Sequence, residues 1–151
     1  MNLGWATAED AQALAEAHAL AFDAPWKADE IGEMLASPGV FGFVAREARP
    51  LGMILCRAAA DELEVLTLAV APEIRRKGVA KALMAAALGA AREAGATEAF
   101  LEVAVDNYPA AALYAGLGFR RAGVRRNYYD RGPAGKTDAL VMRLDLNDGS
   151  A

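Results

Sequence analysis

The chain has 151 residues, of which 55% are hydrophobic and 24% are charged, and its formal net charge is −4 at pH 7. These values predict one globular domain over residues 1–151, with residues 147–151 as a frayed tail, and exclude a disordered chain. The negative charge argues against a general nucleic-acid-binding protein, because phosphate contacts dominate such affinity. One cysteine and one histidine argue against an internal disulfide or a zinc site. Without a membrane-span or signal-peptide pattern, we expect a soluble cytoplasmic protein.

The first quarter of the chain predicts two helices. Thr7–Asp10 places a carboxylate three residues after a hydroxyl, which is typical of a helix start. Apolar spacing continues this helix to about Phe22, and a proline-containing turn separates it from a second helix over residues 28–35. We interpret His18 as a partly buried structural residue, because no catalytic partner is identifiable. Trp26 is either an anchor for the turn or an aromatic wall beside a site.

The middle of the chain predicts strands around one long helix. Strand-like runs cover residues 40–46, 51–57 and 62–70, and Pro50 is expected to end the pairing of the first two. Residues 79–94 carry apolar side chains at helical spacing, and residues 98–105 alternate as in a strand. The third run, the helix and the following strand therefore predict a βαβ unit with parallel strands.

The connection between the third run and the long helix contains Arg75-Arg76-Lys77-Gly78. These cations lie where the first N–H groups of a helix point outward, which is the chemistry of an anion site. Glycine allows a phosphate to approach the backbone closely. The alternative is a solvated basic turn in which Gly78 serves only the bend, and local features do not decide between the two.

Glu102 lies in the middle of the apolar strand over residues 98–105, on the face that it shares with Phe100 and Ala104. A carboxylate is costly to bury there unless it is partnered or accepts a proton. The alternative is a carboxylate that faces solvent at a sheet edge. Its apolar neighbours favour a functional role.

The last third predicts a helix followed by two strands. Asn107 and the proline after it are typical of a helix start. Strand-like runs at residues 119–129 and 137–146 follow, joined by a glycine-rich loop. Four arginines and two tyrosines in the first run suggest a nucleic-acid surface. The overall acidity and the alternation favour instead a solvated strand face with one or two residues lining a substrate pocket.

Three blocks of sequence resemble the GNAT N-acetyltransferase family. Arg75-Arg76-Lys77-Gly78-Val79-Ala80 resembles its acetyl-CoA signature, Arg/Gln-x-x-Gly-x-Gly/Ala. Asn107-x-x-Ala110-x-x-Leu113-Tyr114-x-x-x-Gly118-Phe119 resembles its second cofactor segment. Residues 24–26, 64–70, 101–103 and 125–129 resemble the RimI-like branch, which acetylates the N-terminal alanine of a small-subunit ribosomal protein. Lys27 departs from this pattern, where a serine-like helix cap is expected.

The resemblance implies an α+β GNAT fold with a mixed central β-sheet and helices on both faces. It also implies acetyl-CoA as co-substrate, without a metal. The amides and cations of the turn before the long helix would hold the pyrophosphate, and the preceding strand and Asn107 would hold the pantetheine arm. The cofactor-binding residues implied are Leu68, Val70, Arg75, Arg76, Lys77, Gly78, Val79, Ala80 and Asn107. Trp26, Glu64, Tyr128 and Tyr129 are expected on the substrate side.

Direct acetyl transfer requires a base for the amine and a proton donor for the thiolate. We expect Glu102 to be the general base, with Glu64 as its rival. By family analogy, Tyr114 is the general acid, and the alternative for Tyr114 is packing between helix and sheet. An α-amine, with a pKa of about 7.7–8.0, is much easier to deprotonate than a lysine at about 10.4.

The sequence therefore predicts an acetyltransferase that acts on a protein or peptide N-terminus, alanine in particular, of a ribosomal or other protein. Nucleic acid and membrane are not expected as partners, and the oligomeric state is not predicted. Two alternatives remain: a GNAT enzyme acting on a small-molecule amine or a lysine side chain, and a non-catalytic acyl-CoA-binding sensor. The presence of both Glu102 and Tyr114 favours an enzyme.

Overall fold

The computed structural model describes residues 1–147. Its strands and α-helices, in chain order, are β1 (Asn2–Ala6), α1 (Ala11–Ala21), α2 (Ala28–Ala36), β2 (Val40–Arg46), β3 (Pro50–Ala59), β4 (Glu62–Val70), α3 (Val79–Glu93), β5 (Glu98–Ala104), α4 (Tyr108–Gly116), β6 (Arg120–Asp130) and β7 (Lys136–Asp145). Short 3₁₀ turns precede α1 and α3 and connect β6 to β7. The frayed tail predicted from residue 147 lies, from residue 148 onward, outside the described residues.

The strands form one mixed sheet in the order β1-β2-β3-β4-β5-β7-β6. The pair β4 and β5 is parallel, whereas the other neighbours are antiparallel. The helix α3 connects the parallel pair, so the predicted βαβ unit is confirmed. The chain reaches the far edge of the sheet with β6 and then returns to insert β7 beside β5.

Helices cover both faces of this sheet. On one face, α1 and α2 bury Leu14 and Ile31 against Met53 and Leu55 of β3. On the other face, α3 buries an apolar stripe against the sheet, and α4 packs beside it. The predicted α+β architecture, a mixed sheet with helices on both faces, is therefore confirmed.

Two details of the first strands differ from the sequence prediction. The strand β1 was not predicted: it is five residues long, and only Ala6 of these is buried. Pro50 forms the last β2–β3 pair, opposite Arg46, so the pairing ends at Pro50 as predicted, but Pro50 itself belongs to β3, which begins one residue before the predicted strand. Proline is tolerated at the first residue of a strand, because little pairing depends on its missing N–H.

The parallel strands β4 and β5 pair only at their beginnings. The register joins Glu62–Glu64 to Glu98–Phe100 and then ends. A bulge on the other side of β4 places Leu66 between two residues that pair with adjacent positions of β3. Because a bulge bends its strand and increases the local twist, it explains why β4 turns away from β5 at this point. The sheet is therefore open between the second halves of these two strands.

The helices within residues 1–147 are too short or too polar to cross a membrane.

Candidate active site

A cleft of about 1130 Å³ begins where β4 and β5 separate. Residues from both central strands line it, together with the N-terminal part of α3, most of the length of α4, and the end of α1 with the connection to α2. Its lining comprises Ala21, Phe22, Trp26, Leu66, Thr67, Leu68, Val70, Ile74, Arg75, Arg76, Gly78, Val79, Ala80, Lys81, Glu102, Val103, Ala104, Asn107, Pro109, Ala110, Ala112, Leu113, Tyr114, Leu117 and Tyr129.

The first turn of α3 presents unsatisfied amide groups at one end of the cleft. Within residues 1–147, the N–H groups of residues 76–81 have no hydrogen-bond acceptor. Gly78 is the N-cap with φ +80°, and a Cβ added there would have no heavy atom within 4 Å. Arg76 also has a positive φ of 65°, which is uncommon for a residue with a side chain. Successive amides in such conformations form a concave anion-binding site at the positive end of the helix dipole.

The cations around this turn have different surroundings. Arg75 donates from Nε to the backbone oxygen of Val70 at 3.1 Å, so its side chain ties the turn to the end of β4. Arg76 and Lys81 line the cleft and form no ion pair within the described part of the chain. Two cations and a turn with six free amides therefore lie at the same end of the cleft.

The start of α4 forms the opposite wall. The Asn107 side chain accepts a hydrogen bond from the Ala110 N–H at 3.3 Å, which caps the helix as the sequence predicts. Tyr114 lies farther along α4, and its ring meets Phe119 edge-on at 6.1 Å between centroids. Burial raises the pKa of Tyr114 to about 12, and nearby Tyr129 adds to the shift. The Tyr114 hydroxyl therefore stays protonated at neutral pH and can donate into the cleft.

Glu102 enters the cleft from β5, and only 9% of its side chain is exposed. Its Oε1 lies 3.2 Å from Nε of Arg125 on β6. Its Oε2 is buried, and no group in residues 1–147 reaches it with hydrogen-bond geometry. Buried polar oxygens are nearly always hydrogen-bonded in folded proteins, so an oxygen left free in a cleft indicates a place for a ligand or a water.

A bulge in β6 brings two tyrosines beside this carboxylate. The register with β7 shifts between Arg125 and Tyr129, and Asn127 takes φ 53° while its N–H donates to Asp138 Oδ1 at 2.8 Å. Hydrogen bonding with Glu102 is the main cause that raises the pKa of Tyr128. Burial is the main cause that raises the pKa of Tyr129, and the Glu102 charge adds to it. Both phenols therefore lie near Glu102.

An aromatic stack forms the mouth of the cleft at the end of α1. His18 lies between Phe22 and Trp26, with ring centroids 4.4 Å and 5.1 Å away. The backbone N–H of Trp26 donates to His18 Nδ1 at 3.2 Å. Burial lowers the pKa of His18, which favours the neutral ring that this hydrogen bond requires. His18 is thus a buried structural residue, and it fixes two aromatic side chains that line the cleft.

Comparison with known proteins identifies the family. The model of the Acetyltransferase (GNAT) family matches residues 11–119. The chain belongs to the GNAT acetyltransferase family. It is 37% identical over 157 residues to the N-alpha-acetyltransferase RimI of Mycobacterium tuberculosis, with 99% of this chain and 96% of that protein covered.

Solved structures show the same GNAT architecture. The crystal structure of the ribosomal-protein-S18-alanine N-acetyltransferase from Escherichia coli has a TM-score of 0.84 and 26% identity, covering 96% of this chain and 93% of that one. Arabidopsis thaliana NAA60, in complex with acetyl-CoA, has a TM-score of 0.78 and 16% identity, covering 97% and 99% of the two chains. The predicted resemblance to GNAT acetyltransferases of the RimI-like branch is therefore confirmed, and the chain is an acetyltransferase.

Most of the site residues predicted from sequence lie in or beside the GNAT cleft, with three exceptions. Glu64, Lys77 and Tyr128 are not part of the lining formed by the described residues. Glu64 instead lies 3.5 Å from the guanidinium of Arg57 on β3. Lys77 is exposed beside the free amides of the α3 turn.

Three residues with a place in or beside this cleft were not assigned a role from the sequence. Lys81 follows Gly78 by three residues, so helical spacing could have placed it at the same turn. Phe22 was used only as a helix end. Arg125 was counted in a solvated arginine cluster, because nothing local indicates that β6 brings it to Glu102.

The cap expected at position 27 is replaced by Glu30, whose Oε1 accepts from the Lys27 N–H at 3.0 Å.

Within residues 1–147, no group of three or more His, Cys, Asp or Glu side chains could hold a metal ion.

Proposed function

We propose that this enzyme transfers an acetyl group from acetyl-CoA directly to the N-terminal α-amine of a protein, with alanine as the expected first residue. The observation that carries the proposal is the free, buried Oε2 of Glu102 in the same cleft as the protonated hydroxyl of Tyr114. One group can accept a proton and the other can donate one. Transfer from a thioester to an amine requires both.

The cleft fits acetyl-CoA at three places. The free amides of residues 76–81 and the side chains of Arg76 and Lys81 complement a pyrophosphate. Gly78 leaves open space where a side chain would stand. The edge of β4 that faces the cleft has no strand partner after Glu64, so its backbone groups can bind the amides of a pantetheine arm. Bound acetyl-CoA would supply the acetyl thioester at the opening of the sheet.

The two sides of the opening have different chemical roles. Glu102 lies on the α1–α2 side of β5, because its neighbours Leu101 and Val103 belong to the core under α3. Tyr114 packs against that α3-side core. We therefore propose that the ammonium form of the acceptor enters past the aromatic stack and loses one proton to Glu102 Oε2, directly or through one water. The neutral amine then attacks the thioester carbon. As the carbon–nitrogen bond forms and the carbon–sulfur bond breaks, Tyr114 donates its proton to the departing sulfur, the nitrogen releases its second proton, and Tyr114 regains a proton from solvent.

An α-amine suits this cleft better than a lysine side chain. A carboxylate removes a proton more easily from an α-amine, with a pKa of about 7.7–8.0, than from a lysine at about 10.4. Relatives in the RimI group are named as an N-acetyltransferase of an alanine of ribosomal protein S18 and as an N-alpha-acetyltransferase, which supports a protein N-terminus as the acceptor. The expected location is the cytoplasm, where ribosomal proteins are made.

A panel of acceptors tests this function. The enzyme is incubated with labelled acetyl-CoA and, in parallel, peptides beginning with Ala, Ser or Met, a peptide with a blocked N-terminus and one lysine, and small amines. We expect label on the α-amine of the Ala-initiated peptide, located by fragmentation mass spectrometry. Faster labelling of the lysine peptide or of a small amine would support the corresponding alternative instead. If the protein binds acetyl-CoA but transfers the acetyl group to none of the acceptors, the result would favour a sensor.

Replacing Tyr114 with phenylalanine should slow the transfer step about 10²-fold or more, the range usual for loss of a general acid. The ring and its packing against Phe119 remain, so thermal stability should change little. The rate is measured in single turnover with the Ala-initiated peptide. Tyr108→Phe is the matched control, because Tyr108 is 74% exposed on the same helix. A Tyr114→Phe rate equal to that of the control would assign Tyr114 to packing alone.

A further inference from the structure

The carboxylate of Glu102 has two oxygens in different environments. Oε1 lies 3.2 Å from Nε of Arg125, whereas Oε2 has no partner among the described residues, and the residue lines the cleft. The two oxygens of a free carboxylate are equivalent. A cation paired with Oε1 makes them different and leaves Oε2 as the oxygen that can accept a proton.

The surroundings of Glu102 provide one cation and several other polar groups. On β6, Tyr128 and Tyr129 lie near it, and on β4, Glu64 is close enough to influence Tyr128. Glu64 is itself paired with Arg57 on β3. On α4, Tyr114 lies near Tyr129, and β7 places Val141 opposite Glu102. Arg125 is the cation that pairs with Glu102 within residues 1–147.

The position of Arg125 is determined by the bulge in β6. Arg125 is the last residue in register with β7 before the bulge, opposite Ala139. Its guanidinium carbon lies 5.4 Å from the ring centroid of Tyr128, within the range of a cation–π interaction. The bulge is held by the hydrogen bond from Asn127 to Asp138. The side chain is 58% exposed and reaches Glu102 from outside the cleft, so it does not take the place of an acceptor.

We propose that Arg125 is the positioning residue of the base: it pairs with Oε1 of Glu102 and leaves Oε2 for the acceptor amine. The inference rests on the proposed function, in which Glu102 accepts the proton of the amine. The contact between Nε of Arg125 and Oε1 holds a carboxylate whose side chain is nine-tenths buried, while Oε2 has no partner among residues 1–147.

The test compares Arg125→Met, which keeps the aliphatic stem and removes the cation, with Arg125→Lys, which keeps a cation. Arg126→Met is the matched control, because Arg126 is an exposed neighbour in the same bulge. The kcat at pH 7 and the KM for acetyl-CoA are measured separately for each variant, with the best acceptor of the wild-type enzyme.

For Arg125→Met, we expect kcat at pH 7 to fall about tenfold, a modest effect because solvent screens the half-exposed guanidinium. Arg125→Lys should restore most of kcat, and the KM for acetyl-CoA should stay unchanged in all variants. A kcat of Arg125→Met equal to that of Arg126→Met would overturn the inference.

A second measurement separates this inference from the base assignment. In a Glu102→Gln background, Arg125→Met should cause no further loss, because its effect passes through the carboxylate. A further loss of tenfold would overturn the inference and show that Arg125 acts on the acceptor itself. If Glu102 is not the base, the single variant Glu102→Gln will turn over at the wild-type rate. If the proposed acceptor is wrong, the acceptor panel will show it.

Discussion

Replacing Glu102 with glutamine should lower kcat by about 10²- to 10⁴-fold, the usual contribution of a general base. Glutamine keeps the size of the side chain but cannot accept a proton from the amine. Acetyl-CoA affinity should stay within about twofold, because the amides and cations proposed for the pyrophosphate lie at the α3 end of the cleft and are not altered. Single-turnover transfer gives the rate, and isothermal titration calorimetry gives the affinity.

Glu64→Gln provides the comparison. Glu64 lies outside the cleft lining and pairs with Arg57 at 3.5 Å, so this change should reduce turnover only a few-fold. A larger loss in Glu64→Gln than in Glu102→Gln would transfer the role of base to Glu64. Turnover of Glu102→Gln at the wild-type rate would contradict the assignment of Glu102 outright.

Replacing Gly78 with aspartate should abolish measurable acetyl-CoA binding, whereas asparagine should weaken it far less. Both residues tolerate the left-handed conformation of this position better than other side chains do, and the space beside Gly78 is open. Only aspartate adds a negative charge where the phosphates are proposed to bind. At about 4 Å in a partly screened site, such a charge opposes each phosphate by roughly 1–4 kcal/mol, so the two variants should differ about 100-fold in affinity.

The same pair of variants separates loss of binding from loss of folding. Aspartate and asparagine are favourable helix N-caps, and the negative charge of aspartate suits the start of a helix. The aspartate variant should therefore unfold at the same temperature as the asparagine variant or higher, while binding acetyl-CoA far more weakly. Equal affinities of the two variants would exclude a phosphate site at this turn.

The parts of the site that depend on neighbouring residues could be predicted from the sequence. The glycine and cations before α3 and the Asn107 cap of α4 are short-range patterns whose physical meaning does not need the rest of the fold. The alternation in β5 placed Glu102 on a different face from Leu101 and Val103, and the structure agrees. Helical spacing likewise predicted the apolar stripe of α3.

The parts that depend on long-range register could not be predicted. Arg125 reaches Glu102 through β7, which lies between their strands, and through a bulge that shifts β6 against β7. A shift of one residue moves a side chain to the other face of a sheet, so no local pattern shows which arginine of β6 meets the carboxylate. The bulge at Leu66 also leaves no recognisable pattern, because it lies within an apolar run, although it accounts for the opening of the sheet.

The opening between β4 and β5 also determines which part of cofactor recognition depends on the backbone and which part depends on side chains. Along the second half of β4, the groups offered to a pantetheine arm are backbone N–H and C=O, which every residue except proline provides. Substituting one apolar residue for another at Leu68, Ala69 or Val70 should therefore leave this contact intact, as long as the backbone of the strand keeps its position. Substitution should be tolerated least where the main chain needs a special conformation, at Gly78 with φ +80°.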